Sequence, residues 1–514
     1  MKHFQKLKMI LFFNNNKLSF FIYVFLLNIF THFIPFERMS FSPDNYALLG
    51  SEYSLKNFFY FSNRPLSFIF IEIQNSIIFE NSYLNILLIF FSSLLTIYIA
   101  FYLLNLFFKH KVSFFIIIIY SLLFSKLEIF HSSIMVNINI VSSLYLLSLI
   151  LFINYINEEK KLFLVFSLLF YSISIFWYGI GILFPFLFFI YAYIFNNNKK
   201  LLIIFFKILP FLLILLLYLS YRFTGAFGYG EIIQSHSISI NLIPSGIIEI
   251  LNHFVGRYFI RNFVYGIYVF LNIDPKWLYL LLIADLLLII IFLKIFLNYK
   301  SKFYFNKRYA IFFICLFFIS VLPVILNGSS AGRHLIIPSI SFCIFILYLL
   351  IFTKKYFKYF YIFFFIIGIV VCQGNAWSQI ISSRINNAVH ESLLSHKNEI
   401  LKYKNLVIDT NSFANNINHT FFKRDYNKLN TYYGAQTFED WGLNGMVDLT
   451  INNIDLKTYI SISEIKNIDS NIIFFIKKNI SYKNFSKKKI EINKNDSFIL
   501  DYEKVYYNGY NYGK

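Results

Sequence analysis

Charge, above all negative charge, is what this sequence has least of. Only 14% of its 514 residues are charged, against about a quarter in soluble domains, and 26 Asp and Glu stand against 46 Lys and Arg. Because 58% of the residues are hydrophobic and apolar runs of about 20 residues recur, a soluble globular fold is excluded. The composition indicates a helical protein that crosses the membrane many times.

Further absences narrow the function. The cysteines, Cys315, Cys343 and Cys372, all lie in apolar segments, which favours packing roles over redox or metal chemistry. The sequence has no Walker loop, no dinucleotide glycine pattern and no cysteine-based zinc pattern, so ATP-driven transport by this chain alone is not expected. The net charge of +20 does not indicate nucleic acid, because much of it lies in short loops between apolar runs.

What the sequence has in abundance is apolar runs, of which eleven are predicted to be membrane spans. The first is expected to be retained rather than cleaved as a signal peptide, since it is long and lacks a small-residue cleavage site. The runs cover residues 18–36, 84–108, 112–126, 140–156, 162–177, 179–195, 201–221, 277–297, 309–326, 338–352 and 357–374.

The loops between these runs predict an orientation. Basic residues cluster in the N-terminal arm and in alternate loops: Lys109-His110-Lys111, Lys160-Lys161, Lys199-Lys200, residues 300–308 and Lys354-Lys355. Lysine and arginine mark the cytoplasmic side, so the N-terminus is predicted to be cytoplasmic. The opposite, outer side then holds the longer segments: residues 37–83, 127–139, 222–276, 327–337 and the tail from 375.

Two outer segments are predicted to lie in the membrane interface. Residues 66–80 follow Pro65 and mix apolar residues with Glu72 and Glu80, and residues 247–270 are partly amphipathic. The second segment is expected to be one interfacial helix rather than a twelfth span, because a span there would break the charge pattern.

The last 140 residues change in composition and are rich in Asn, Lys and Ser. Strands are predicted at 404–409, 471–476 and 497–500. The predicted fold class is thus an all-α polytopic membrane protein of about eleven spans with a small C-terminal α/β domain. The predicted boundary separates a membrane domain, 1–374, whose first outer loop is 37–83, from an outer domain, 375–514.

The first outer loop contains the leading candidate for chemistry. Asp44 is a rare carboxylate held at the membrane surface, and it could act as a general base on an acceptor hydroxyl. The alternative is a helix cap, since Pro43 and Asp44 could open a short helix. Arg64 could bind a phosphate through its planar fork, or could snorkel to anionic lipid.

Three other outer positions are weaker candidates. Arg333 and His334 follow a run of small residues and could hold an anion. Trp177 and Tyr178 could stack on a sugar ring, although aromatic residues here are also typical of a membrane-interface belt. Glu128 could contact a sugar or could be a solvated loop end.

Asp285, inside a span, has a functional interpretation by default, with a hydrogen bond across helices as the alternative.

These motifs together resemble the GT-C glycosyltransferases, and specifically the GtrII family of O-antigen serotype-converting glucosyltransferases. The matching residues are Ser42-Pro43-Asp44-Asn45-Tyr46, Ser62-Asn63-Arg64-Pro65-Leu66-Ser67 and Gly332-Arg333-His334-Leu335-Ile336-Ile337-Pro338. The resemblance covers the membrane part up to about residue 374. Members of the superfamily often have a second acidic residue where this chain has Asn45. A single carboxylate is a poor cation site, so no cofactor is predicted, with a divalent metal left open.

The resemblance implies a hexosyltransferase in a bacterial inner membrane with a periplasmic active site, and it suggests glucose as the sugar. It implies a polyprenyl-phosphate sugar donor, a lipid-linked O-antigen or other surface polysaccharide as acceptor, and inversion at the sugar carbon. Asp44 would be the base, while Arg64, Arg333, His334 and Asn45 would contact the substrate or carrier phosphate. Membrane lipids are expected partners, and a separate donor synthase and flippase are open as partners.

Two other functions remain open from the sequence. An O-antigen polymerase or ligase would also have many spans and basic outer loops. A lipid-linked sugar flippase or transporter should carry charged residues through the middle of its bundle, where Asp285 and Lys207 are nearly all that this chain offers.

Overall fold

The fold is described by a computed structural model. It describes residues 15–33, 82–123, 135–195, 200–223, 240–297, 306–326, 332–352, 356–395 and 397–402, the strands beyond them, and residues 66, 69, 70 and 73. Most of these residues are helical, as expected where every backbone polar group must be satisfied inside hydrocarbon.

The described helices are numbered here along the chain. In chain order they are α1 (Asn15–Asn28) with a π-helical turn (Ile29–Phe33), α2 (Ser82–Phe107), α3 (His110–Ser121), α4 (Met135–Glu158), α5 (Lys161–Trp177), α6 (Phe184–Phe195), α7 (Leu201–Phe223), α8 (Ile243–Phe254), α9 (Arg257–Phe270), α10 (Pro275–Leu297), α11 (Lys307–Leu326), α12 (Ile336–Phe352), α13 (Phe357–Ser395) and α14 (Lys397–Ile400). Three 3₁₀ turns precede α6, α8 and α12: Gly179–Gly181, Ile240–Leu242 and Gly332–Leu335.

Among the described residues, six helices are long and apolar enough to cross a membrane: α2, α4, α7, α10, α11 and α13. The apolar helices α3, α5, α6 and α12, and α1 with its π-helical turn, are shorter within the described residues. Each of the eleven predicted runs overlaps one of these helices. The chain is therefore a helical protein with several membrane-spanning segments.

An aromatic cluster marks the end of the bundle where the lysine-rich connections lie. Phe107 near the end of α2 stacks on Phe312 of α11 with ring centroids 5.0 Å apart, and Tyr191 of α6 lies 5.5 Å from the same ring. Lys109 and Lys307 flank these contacts in the chain. The structure thus brings together the helix ends that the charge pattern assigned to one side.

The direction of α13 follows from two hydrogen bonds with α3. Tyr361 donates its hydroxyl to the carbonyl oxygen of Phe115 at 2.6 Å, and Cys372 Sγ lies 3.5 Å from the carbonyl oxygen of Leu122. The two helices therefore run in the same direction. Because α3 begins beside Lys109, the C-terminal part of α13 lies at the opposite end of the bundle.

Small polar residues hold neighbouring helices close. Ser148 of α4 and Ser167 of α5 each donate to the other's carbonyl oxygen at 2.8 Å. Thr96 of α2 donates to the carbonyl oxygen of Asn139 in α4 at 2.9 Å. Such contacts are typical of membrane interiors, where small residues let backbones approach and their hydroxyl groups bond across the interface.

The segment predicted as one interfacial helix at 247–270 forms two helices, which corrects that prediction. The chain breaks between α8 and α9 at Gly256, whose backbone leaves the helical region at φ −100° and ψ −140°. Asn252 Oδ1 accepts a hydrogen bond from the backbone N–H of Arg257 at 3.4 Å, which supports the start of α9. Neither helix is among the candidate spans.

Two other boundaries differ from the prediction. The run 179–195 opens with a 3₁₀ turn, so its α-helix begins only at Phe184. α13 continues past residue 374 to Ser395, so the tail starts as an extension of the last apolar helix. The predicted helix at 66–80 lies almost entirely outside the described residues.

The described part of the tail contains short strands at the three predicted places and at three further places. They are β1 (Asn405–Ile408), β2 (Asn430–Tyr432), β3 (Ala435–Phe438), β4 (Lys457–Tyr459), β5 (Ile472–Lys477) and β6 (Ser497–Leu500), of which β1, β5 and β6 match the predicted positions. A parallel sheet has the order β4-β1-β5-β6, and β2 pairs with β3 in antiparallel fashion.

Candidate functional site

The sequence candidates divide into those that the structure describes and those that it does not. Asp44, Asn45, Arg64 and Glu128 lie outside the described residues. Three candidates on the predicted outer side have described side chains: Trp177, Tyr178 and His334, all half-buried. For Arg333 the structure describes the backbone, which lies in the 3₁₀ turn at Gly332–Leu335.

The turn after α5 is held by buried tyrosines. Tyr178 adopts an extended backbone directly after the last helical residue, Trp177, and its carbonyl oxygen accepts a hydrogen bond from Tyr145 at 3.1 Å. A Cβ at Gly179 would lie 2.7 Å from the Tyr218 hydroxyl, and one at Gly181 would overlap the Tyr145 ring. Glycine is required here because the tyrosine rings occupy the space of a side chain.

The second turn, Gly332–Leu335, precedes α12 and is held by buried residues and by a hydrogen bond from α3. Leu335 and Ile336 are fully buried. Tyr120, near the end of α3, donates its hydroxyl to the carbonyl oxygen of Ile336 at 3.2 Å. The backbone at His334 is therefore set by packing against α3 rather than by the loop alone.

The two turns meet through a hydrogen bond between Tyr178 and His334. The Tyr178 hydroxyl lies 3.0 Å from His334 Nε2, and the ring centroids are 6.1 Å apart. Two candidates that lie 156 positions apart in the sequence are thereby brought together at the end opposite the lysine-rich connections. We call Trp177, Tyr178 and His334 the aromatic–histidine junction.

Asn137, a residue that the sequence did not single out, orients the indole of Trp177. The Trp177 Nε1–H donates to Asn137 Oδ1 at 3.0 Å. Because an indole nitrogen can only donate, the amide must turn its oxygen toward Trp177. Asn137 is only 2% exposed, and its Nδ2 has no hydrogen-bond partner among the described residues. A buried amide donor therefore lies beside the indole.

Phe70, which lies between α1 and α2 in the sequence, contacts this junction. The Phe70 ring lies 5.1 Å from the Trp177 ring, centroid to centroid, and both side chains are half-buried. Aromatic faces of this kind pack on apolar surfaces, including the C–H face of a sugar ring. An imidazole and a neighbouring arginine can hold an anion.

Arg257 and Arg261 at the start of α9 also went unnoticed in the sequence. They are one helical turn apart and half-buried, with the Arg261 guanidinium 5.0 Å from the centre of the Tyr258 ring. A signal was present, because two arginines in a predicted outer segment run against the positive-inside bias.

The described residues include no group of three or more His, Cys, Asp or Glu side chains placed to hold a metal ion. Comparison with known proteins gives no relative: no family model, no curated protein and no solved structure matches this chain.

Proposed function

We propose that this chain is a membrane glycosyltransferase. It moves a hexose, taken to be glucose, from a polyprenyl phosphate to a lipid-linked O-antigen or other surface polysaccharide, on the outer face of a bacterial inner membrane. The observation that carries the proposal is the hydrogen bond between Tyr178 and His334. It places aromatic rings suited to a sugar next to a turn with Arg333 and His334, which are suited to a phosphate.

The reaction is a single displacement. The acceptor hydroxyl oxygen attacks the anomeric carbon, the bond from that carbon to the phosphate oxygen breaks, and the proton of the hydroxyl passes to the Asp44 carboxylate. Arg64 and Arg333 stabilise the negative charge that develops on the departing polyprenyl phosphate. One displacement inverts the configuration at the sugar carbon.

The topology proposed for this function has eleven spans, a cytoplasmic N-terminus and a C-terminal α/β domain in the periplasm. Four apolar helices, α6, α7, α10 and α11, separate the Tyr178 turn from the His334 turn. Because Tyr178 and His334 contact each other, the two turns lie on the same side of the membrane. Only an even number of crossings returns the chain to that side, which supports a crossing by each of the four helices. α8 and α9 then lie on the outer side.

The contact between Phe70 and Trp177 supports a role for the first outer loop. Phe70 follows Arg64 by six residues in the sequence, and six residues span at most about 22 Å. We propose that this length of chain lets Arg64 take part at the junction. In this proposal Trp177 stacks on the sugar, and Asn137 Nδ2 donates to one of its hydroxyls.

The test is an in-vitro transfer assay with the purified chain, polyprenyl-phosphate glucose labelled in the sugar, and lipid-linked O-antigen repeat. Asp44→Asn should lower the transfer rate by about 10²- to 10⁴-fold, the contribution of a general base. Asp274→Asn is the matched control, because Asp274 caps α10 through the N–H of Lys276 and asparagine caps a helix equally well.

Full activity in Asp44→Asn would remove Asp44 as the base. Polymerisation of the polyprenyl-diphosphate glycan without use of the labelled donor would instead identify a polymerase or ligase. Movement of the labelled lipid across vesicles, with no covalent transfer, would identify a flippase.

A further inference from the structure

The start of α9 concentrates positive charge that the proposed transfer reaction does not use. Arg257 is the first residue of the helix and Arg261 lies one turn later, on the same face. Like charges at this spacing repel each other, and the partial positive charge at the N-terminus of the helix increases the repulsion. Charge arranged in this way favours a bound anion.

Burial makes it costly for Arg261 to carry its charge beside Arg257. Burial lowers the pKa of its guanidinium from the ordinary value, Arg257 lowers it further, and the Tyr258 and Tyr265 phenols act in the opposite direction. The Tyr258 ring also packs against the guanidinium at 5.0 Å and holds it in place. The His253 ring, near the end of α8, lies 4.7 Å from the Tyr258 ring, centroid to centroid.

The packing of α9 on α13 sets the depth of the two arginines. A Cβ at Gly266 would lie 2.6 Å from the Val371 carbonyl oxygen, and Asn375 Nδ2 donates to the carbonyl oxygen of Asn262 at 2.8 Å. The arginine end of α9 therefore lies toward the part of α13 that follows residue 375. The apolar run of α13 gives way to polar residues from Gln373 onward, so the arginine end of α9 packs where this helix leaves its apolar part, as expected at a membrane boundary.

We infer that Arg257 and Arg261 form a binding site for the phosphate headgroup of a membrane lipid. Two guanidinium forks one turn apart match the oxygens of a phosphate or diphosphate, and each can donate two parallel hydrogen bonds. Phosphate groups of lipids lie at the membrane boundary, where this pair is placed. The site lies on a different element from Arg333 and His334, and the inference holds whether or not the chain transfers a sugar.

Binding to the purified full chain in detergent tests the site, measured by native mass spectrometry in three arms. The arms contain polyprenyl diphosphate, phosphatidylglycerol or inorganic phosphate. The double variant R257Q/R261Q should bind the lipid phosphates at least about tenfold more weakly than wild type, the effect of one lost charge-assisted hydrogen bond. The arm with the larger loss identifies a carrier lipid or an ordinary phospholipid as the source.

The matched control is K307Q/R308Q, which removes two positive charges from exposed positions at the start of α11. It should bind as wild type does. Equal weakening in both double variants, no weakening in either, or a loss confined to inorganic phosphate would each overturn the inference. If R257Q/R261Q does not fold, R261K replaces it, since lysine keeps the charge but loses the fork, and binding about threefold weaker is expected. Unchanged binding in R261K would then overturn the inference.

Discussion

Gln373 donates a hydrogen bond of 2.8 Å from Nε2 to Asp285 Oδ1, and this bond joins α13 to α10 inside the apolar part of the bundle. The same nitrogen donates to the carbonyl oxygen of Phe30 at 3.1 Å, in the π-helical turn after α1. One amide therefore ties three helices together. For Asp285, the interpretation as a hydrogen bond across helices is confirmed.

The first prediction concerns this bond. Asp285→Ala should destabilise the protein, because it leaves the buried Gln373 amide without its carboxylate partner, whereas Asp285→Asn keeps an acceptor oxygen and should cost less. A double-mutant cycle between Asp285→Ala and Gln373→Ala should give a coupling between about 0.6 kcal/mol, the average for hydrogen bonds between membrane helices, and about 1.7 kcal/mol, the largest value. Unfolding in a denaturing detergent series measures it.

A coupling near zero in that cycle would show that Asp285 and Gln373 do not stabilise the bundle together. The corresponding exposed pair, Lys160 and Glu158, is the control, because exposed ion pairs contribute little. Its cycle should give a coupling that is smaller than that of Asp285 and Gln373.

The second prediction compares two glycines of α13. A Cβ at Gly374 would overlap the carbonyl oxygen of Gly266 in α9, and a backbone atom cannot move aside without shifting its helix. A Cβ at Gly368 would instead lie 2.9 Å from the Leu122 Cβ, which is a smaller overlap than the one at Gly374. Gly374→Ala should therefore cost about 1 to 3 kcal/mol of stability and Gly368→Ala less.

Thermal unfolding of both variants in the same detergent checks this order. Equal losses, or a larger loss for Gly368→Ala, would contradict the close crossing of α9 and α13. That crossing also sets the depth of Arg257 and Arg261, so the experiment bears on the lipid-phosphate site without measuring lipid binding.

The positions of the helices could be predicted from the sequence because hydrocarbon leaves an apolar segment little choice but to form a helix. The lysine pattern also predicted which connections share an end, and the contact between Phe107 and Phe312 agrees with it. β1, β5 and β6 could be found in the tail from short apolar runs bounded by polar residues.

The contacts between helices could not be predicted, for a physical reason. Lipid-facing and protein-facing sides are both apolar in such a bundle, so periodicity does not show which faces meet. Asn137 illustrates the difficulty, since its role depends on an indole 40 residues away. The break at Gly256 had a local signal, a glycine between two amphipathic halves, and it was interpreted as the interior of one helix.

The last prediction concerns the aromatic–histidine junction. Tyr178→Phe removes the hydroxyl that contacts His334 and leaves the ring, so it should lower kcat/KM for transfer about tenfold by loosening the imidazole. Trp177→Ala removes the proposed stacking surface and should act mainly on KM for the sugar substrate, because such binding is shared by ground state and transition state.

Tyr193→Phe is the matched control, since Tyr193 is 50% exposed near the far end of α6. Its kcat/KM should equal that of wild type. The pair Tyr178→Phe and His334→Ala should lose no more activity together than His334→Ala alone, because the hydroxyl acts through the imidazole. Additive losses would show that Tyr178 contacts the substrate independently, and the two turns would then be neighbours without a shared task.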